Sequence, residues 1–144
     1  MKKLILMVAA TLVTGCQNIK PTSDEMVRLN SSEIRELFSG KTVESVSKSN
    51  GITSFTYYEP NGTVFQERFW ENRAGKWRVT TNDEVCLTME GGEESCRVIL
   101  MDPGSFFNGY DKRYYKYRVK SSGSLKMVVR YRQFIEGNVV DTYR

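Results

Sequence analysis

The sequence predicts a mainly β domain. It reads as an antiparallel up-and-down meander of about eight or nine strands forming a small barrel or sandwich, with one short N-terminal helix. Three observations predict it. Across 55–101, short apolar or aromatic runs alternate with turn signals at Pro60-Asn61-Gly62, 72–75, Asn82-Asp83 and Gly91-Gly92. The last third reads as a long hairpin, 110–120 and 125–135, joined by Ser121-Ser122-Gly123. Helical periodicity is confined to one short stretch, 30–40.

That helix is predicted from its ends as much as its face. Asn30 or a following serine can accept a bond from a free N–H of the first turn, and Glu33 stands three residues after Asn30 as in a capping box. Ile34, Leu37 and Phe38 fall on one face, and Gly40 supplies a stop. Such a helix is expected to plug or cover one side of the sheet.

Strands are then expected at 41–47, 52–59, 63–71 and 76–80. In the second, Phe55 and Tyr57 share one face, and in the fourth Trp77 and Val79 point inward while Lys76, Arg78 and Thr80 point out. With Leu87, Met89 and Ile99, these aromatic residues are expected to fill a small barrel. A hairpin at 84–89 and 96–101 carries Cys86 and Cys96, and the 30–40 helix is expected to cover its second face. Asp102-Pro103-Gly104 breaks the chain before a loop with Phe106 and Phe107. In 125–132, Leu125, Met127, Val129 and Tyr131 alternate with Lys126, Val128, Arg130 and Arg132, a half-buried strand. Gly137-Asn138 permits a turn into a last strand at 139–143.

The N-terminus specifies an address. Lys2 and Lys3 precede an apolar run, 4–13, long enough for a signal-peptide core and short of the roughly 20 residues that span a bilayer. Leu12-Val13-Thr14-Gly15-Cys16 resembles a bacterial lipobox, which implies lipidation of Cys16 by a thioether diacylglycerol and an N-acyl (palmitate-type) chain. Gln17, where an Asp would favour retention at the inner membrane, points to the outer membrane and a periplasm-facing protein. The expected organisation is a signal peptide (1–15), a lipidated tether (16–29) and a single β domain (30–144). Fully extended, the tether reaches roughly 40 Å at about 3.3 Å per residue.

Composition narrows the function. The 144 residues carry a formal net charge of +4, which falls to about +2 once Lys2 and Lys3 leave with the signal, so no global basicity points to nucleic acid. The chain contains no histidine, which removes Ser-His-Asp and Cys-His catalysis and histidine metal sites. Of three cysteines, Cys16 is the lipid site, and Cys86 with Cys96 is expected to form a disulfide in an oxidising compartment. Carboxylate pairs such as Glu67 with Glu71, or Glu93 with Glu94, are the remaining route to hydrolysis, yet the latter two sit in a turn where acids are normally solvated. A non-enzyme without cofactor or metal is expected.

From about 37 to 110 the chain resembles a domain of unknown function found in small exported proteobacterial lipoproteins. The resemblance rests on Ser39-Gly40-Lys41-Thr42-Val43, the Tyr57 to Thr63 turn with Pro60-Asn61-Gly62, Gly75-Lys76-Trp77-Arg78-Val79, and the Cys86/Cys96 hairpin. These elements are structural, so the resemblance implies fold and export and carries no catalytic residue across.

Two functions fit. The first is an outer-membrane-anchored, non-catalytic module that binds an envelope protein or polymer. The alternative is a lipocalin-like carrier of a small apolar ligand, which requires a cavity. The most unusual stretch is 110–132, with eight basic residues against the single acid Asp111. If the faces of its two strands coincide, Lys112, Tyr114, Lys116, Arg118 and Lys120 would join Lys126, Arg130 and Arg132 in a basic patch. An anionic surface or an acidic partner would suit that patch, with Phe106 and Phe107 as an apolar anchor. The other reading is a solvated outer face whose lysines protect an edge.

Overall fold

A computed structural model describes residues 25–104 and 111–140. The lipobox, Cys16, Phe106, Phe107 and Tyr110 lie outside the described residues. A two-residue strand, β1 (Val27–Arg28), precedes helix α1 (Ser31–Phe38) and eight longer strands. These are β2 (Lys41–Ser47), β3 (Thr53–Tyr58), β4 (Thr63–Arg68), β5 (Glu71–Val79), β6 (Val85–Met89), β7 (Ser95–Asp102), β8 (Arg113–Val119) and β9 (Leu125–Glu136). Each pairs antiparallel with the next, and β9 returns to β2, so the eight-stranded meander closes into a barrel. Closure removes the exposed strand edges that an open sheet would leave. No helix among the described residues is long and apolar enough to cross a membrane.

The helix forms as its ends dictate. Asn30 Oδ1 accepts from the Glu33 N–H at 3.0 Å, and Glu33 Oε2 accepts from the Asn30 N–H at 2.8 Å, a complete capping box. Gly40 turns the chain at φ 75°, and its N–H bonds the Tyr58 carbonyl at 2.8 Å. Asp83, in the β5–β6 turn, accepts from the Ser31 N–H at 2.7 Å and holds the helix across one end of the barrel. Ile34 and Phe38 are fully buried there, in one cluster with Val43, Tyr58, Val64, Trp77 and Tyr131. The helix therefore plugs an end. It does not cover the outer face of the cysteine hairpin, as the sequence suggested: its buried side chains join the interior cluster with Val85. Outward-facing Val98 and Leu100 pack instead with Tyr115 and Tyr117, and Met26 lies against them.

Several sequence expectations need correction. Residues 25–29 belong to the folded body: β1 pairs with β7, and Leu29 is buried. The third turn falls at Phe69-Trp70, and 72–75 lies within β5. On β3 the buried row is Ser54, Thr56 and Tyr58, so Phe55 and Tyr57 face outward. On β9 the register slips at Val128, because Lys116 pairs with Val129 while Tyr117 pairs with Met127. That bulge sends Met127 to the outer cluster while Val129 and Tyr131 face inward. After β9, Gly137 makes one parallel bridge to Lys41, and Asn138 Oδ1 accepts from the Val140 N–H at 2.9 Å. This Asx turn diverts the chain, so residues 139–140 add no strand, and 141–144 lie outside the described residues.

Cys86 and Cys96 are direct cross-strand partners with Cα atoms 4.0 Å apart, joined by a disulfide. Closing so short a loop contributes about 2–3 kcal/mol by limiting the unfolded chain.

Candidate functional site

With α1 and its aromatic layer closing one end, the barrel opens at the other. A cavity of about 370 Å³ lies there, lined by the strand halves that run toward the opening. One wall is polar and spans four adjacent strands: Ser45 on β2, Ser54 and Thr56 on β3, Gln66 and Arg68 on β4, Arg73 on β5. Leu87 and Met89 on β6 and Val129 on β9 supply apolar surface, Lys116 enters from β8, and Tyr58 is buried beneath. Glu93, in the β6–β7 turn, is the only acid among the described lining residues.

The polar wall is ordered by its own bonds. Arg73 Nε donates to Gln66 Oε1 at 2.8 Å, and Gln66 Nε2 donates to Thr56 Oγ1 at 2.9 Å. The Ser45 and Ser54 hydroxyls are 3.1 Å apart. Arg68 Nη1 stands 3.9 Å from Glu71 Oε2, while its Nε is buried without a hydrogen-bond partner. A buried donor left in that state costs free energy, and a ligand acceptor would recover it.

Lys116 is the most perturbed cation. Its Nζ lies 5.8 Å from the centroid of the Tyr131 ring, inside the barrel wall. Burial, with the positive charge of Arg97 adding to it, lowers its pKa to about 8. Burial also lowers Arg73, with Arg68 adding to the effect and Glu71 opposing it. The phenols of Tyr58 and Tyr131 are pushed up by burial and stay neutral.

The basic hairpin does not form one surface. Tyr114 turns inward to stack edge-on with Phe134 at 5.4 Å, and Lys116 joins the cavity. Arg118 and Lys126 pair directly across β8–β9 near the opening, and Lys120 follows in the exposed turn. Lys112 is exposed before β8. Arg130 lies opposite Tyr115 on the outer face, and Arg132 bonds Glu44 at 3.2 Å there. The Val128 bulge separates these two from Lys126.

The proposed carboxylate pairs separate too. Glu94 is held by Arg78, with Nε 2.8 Å from Oε2, a bond that lowers the Glu94 pKa, whereas Glu93 lines the cavity mouth. Glu71 faces Arg68. Glu84, Cys86 and Cys96 form a cluster of potential metal ligands among the described residues, but the disulfide consumes both sulfurs and leaves one carboxylate.

Sequence reasoning found Lys116 for a different surface and missed Ser54, Thr56, Gln66, Arg68 and Arg73. A signal was present. On β3 a row of small polar residues alternates with an aromatic row, and small inward side chains are what a cavity requires. No known protein family, no curated protein and no solved structure matches this chain, so its function has to be drawn from the geometry of this cavity.

Proposed function

We propose that this protein is a non-catalytic binding module of the cell envelope, tethered to the outer membrane by a lipid on Cys16, which takes a small molecule into the open end of its barrel. The cavity carries this reading: about 370 Å³ lies at the small end of the range for ligand pockets, and it is closed below by an aromatic floor. A chain without histidine, with one acid among the described lining residues, suits binding rather than acid–base chemistry. The disulfide suits an exported protein, and the lipobox register supports the anchor. A wholly apolar cargo is disfavoured, because it would strip water from the hydroxyls and cations of the polar wall without replacing their bonds.

Native mass spectrometry of the protein purified from its own envelope tests the uptake. A stoichiometric small molecule, released on unfolding, is expected. A ligand-free protein under these conditions would overturn uptake and leave only a surface interaction. The anchor is tested by Cys16→Ser, which should accumulate with its signal uncleaved and without lipid. A variant that is processed and lipidated like the parent would show the anchor to be misassigned.

A further inference from the structure

The cavity lining combines polar and apolar surface, and its basic side chains outnumber its acids. Arg68, Arg73 and Lys116 line the cavity, with Arg97 close to Lys116; Glu93 is the one acid among the described lining residues, and Glu71, 3.9 Å from Arg68, offsets part of the charge of Arg68 and Arg73. Like charges confined together in a low-dielectric space repel, and an anion placed among them relieves that repulsion. Arg68 Nε provides an independent sign, as a buried donor with no acceptor. Leu87 and Met89 on β6 and Val129, the cross-strand partner of Lys116, present apolar surface that a bare inorganic ion would leave uncovered. The turn after Arg68, at this end of the barrel, carries Phe69, 98% exposed, and Trp70, 59% exposed.

From these features we infer that the ligand is a small amphiphilic organic anion, its oxyanion head held by Lys116, Arg68 and Arg73 and its apolar body lying on Leu87, Met89 and Val129. This rests on the reading of the cavity as a binding site. Ser45 and Ser54 add hydroxyls that can donate to the head, and the Arg73–Gln66–Thr56 chain holds one guanidinium in place.

Binding is linked to the Lys116 proton. Around it stand Arg97 on β7, on which Arg118 and Glu84 act, Arg68 on β4 and Arg73 on β5 with Glu71 beside them, the neutral phenols of Tyr58 and Tyr131, and Glu93 at the mouth. In the free protein Lys116 loses its proton near pH 8, and a bound anion favours the charged form and raises that value. Affinity is therefore level below about pH 8 and falls as pH rises above it, with proton uptake on binding in that window.

Titration calorimetry of the mature protein with octanoate, octyl phosphate, 1-octanol and inorganic phosphate tests the inference. At least one octyl anion should bind about tenfold or more tighter than both octanol and inorganic phosphate, the scale of one charge-assisted contact. Its affinity should fall between about pH 7 and pH 10. Lys116→Met should lose about tenfold in that affinity while keeping or raising its Tm, because it removes a half-buried charge whose pKa burial depresses. Charge-removing changes at Arg68 give a second, independent loss. Octanol binding as tightly as the anions would overturn the anionic head and leave the uptake reading standing. Inorganic phosphate binding as tightly would overturn the apolar body. If no probe binds while native mass spectrometry finds a cargo, the ligand class is wrong. If neither finds a ligand, the binding site itself is wrong.

Discussion

A Phe38→Ala variant should lose about 3–5 kcal/mol of stability, the usual cost of truncating a fully buried phenylalanine. Phe38 has no exposed surface, and its ring lies 4.9 Å from Tyr58, 5.3 Å from Tyr131 and 5.6 Å from Phe134, edge to face with each. Removing it opens a void under α1 that three rings cannot fill without leaving their own positions. In urea, with a slope near 2 kcal/mol per molar, the midpoint should fall by roughly 2 M while the slope is kept. Leu37→Ala, on the partly buried flank of the same helix, should cost much less. Equal midpoints for the two variants would show that α1 is a loose cover rather than the end of the core. The effect reaches function as well, because Phe38 packs beneath Tyr58, and Tyr58 lies under the cavity.

What was legible in the sequence was whatever local chemistry fixes. Asn30 and Glu33 cap α1 because the bonds they make span three residues and depend on nothing distant. The 41–47 strand, the Pro60-Asn61-Gly62 turn and the inward Trp77 follow from alternation and turn residues in the same way. The Cys86–Cys96 pairing was legible because a hairpin with a Gly-Gly tip leaves little choice of register. The site was not, because it depends on which face of each strand turns inward, and a one-residue change reverses that. Aromatic residues suggested that Phe55 and Tyr57 point to the core, yet closure of the barrel puts Ser54, Thr56 and Tyr58 there. The single extra residue at Val128 was invisible in the pattern. It dissolved the basic patch and sent Lys116 and Arg130 to opposite sides of the wall.

The Gly75→Ala variant should be destabilised by about 3 kcal/mol or more, at or beyond the usual range for overpacking. The sequence placed Gly75 at the end of a turn. In the structure it lies inside β5, where a strand glycine marks a close approach of two backbones. A Cβ there would meet the Thr88 carbonyl oxygen at 2.3 Å and the Met89 Cα at 2.9 Å. Both are main-chain atoms of β6, and β6 cannot yield as a side-chain tip would. It is also paired to β7 and cross-linked through Cys86. The barrel must therefore part β5 from β6 or distort both strands. Gly92→Ala is the control: its nearest contact would be the Met89 carbonyl oxygen at 3.4 Å, and its stability should stay within about 1 kcal/mol of the parent. Because Met89 lines the cavity beside this contact, Gly75→Ala should also weaken ligand uptake at temperatures where the variant is still folded. A Gly75→Ala protein as stable as Gly92→Ala would place the two strands farther apart than the closed barrel allows.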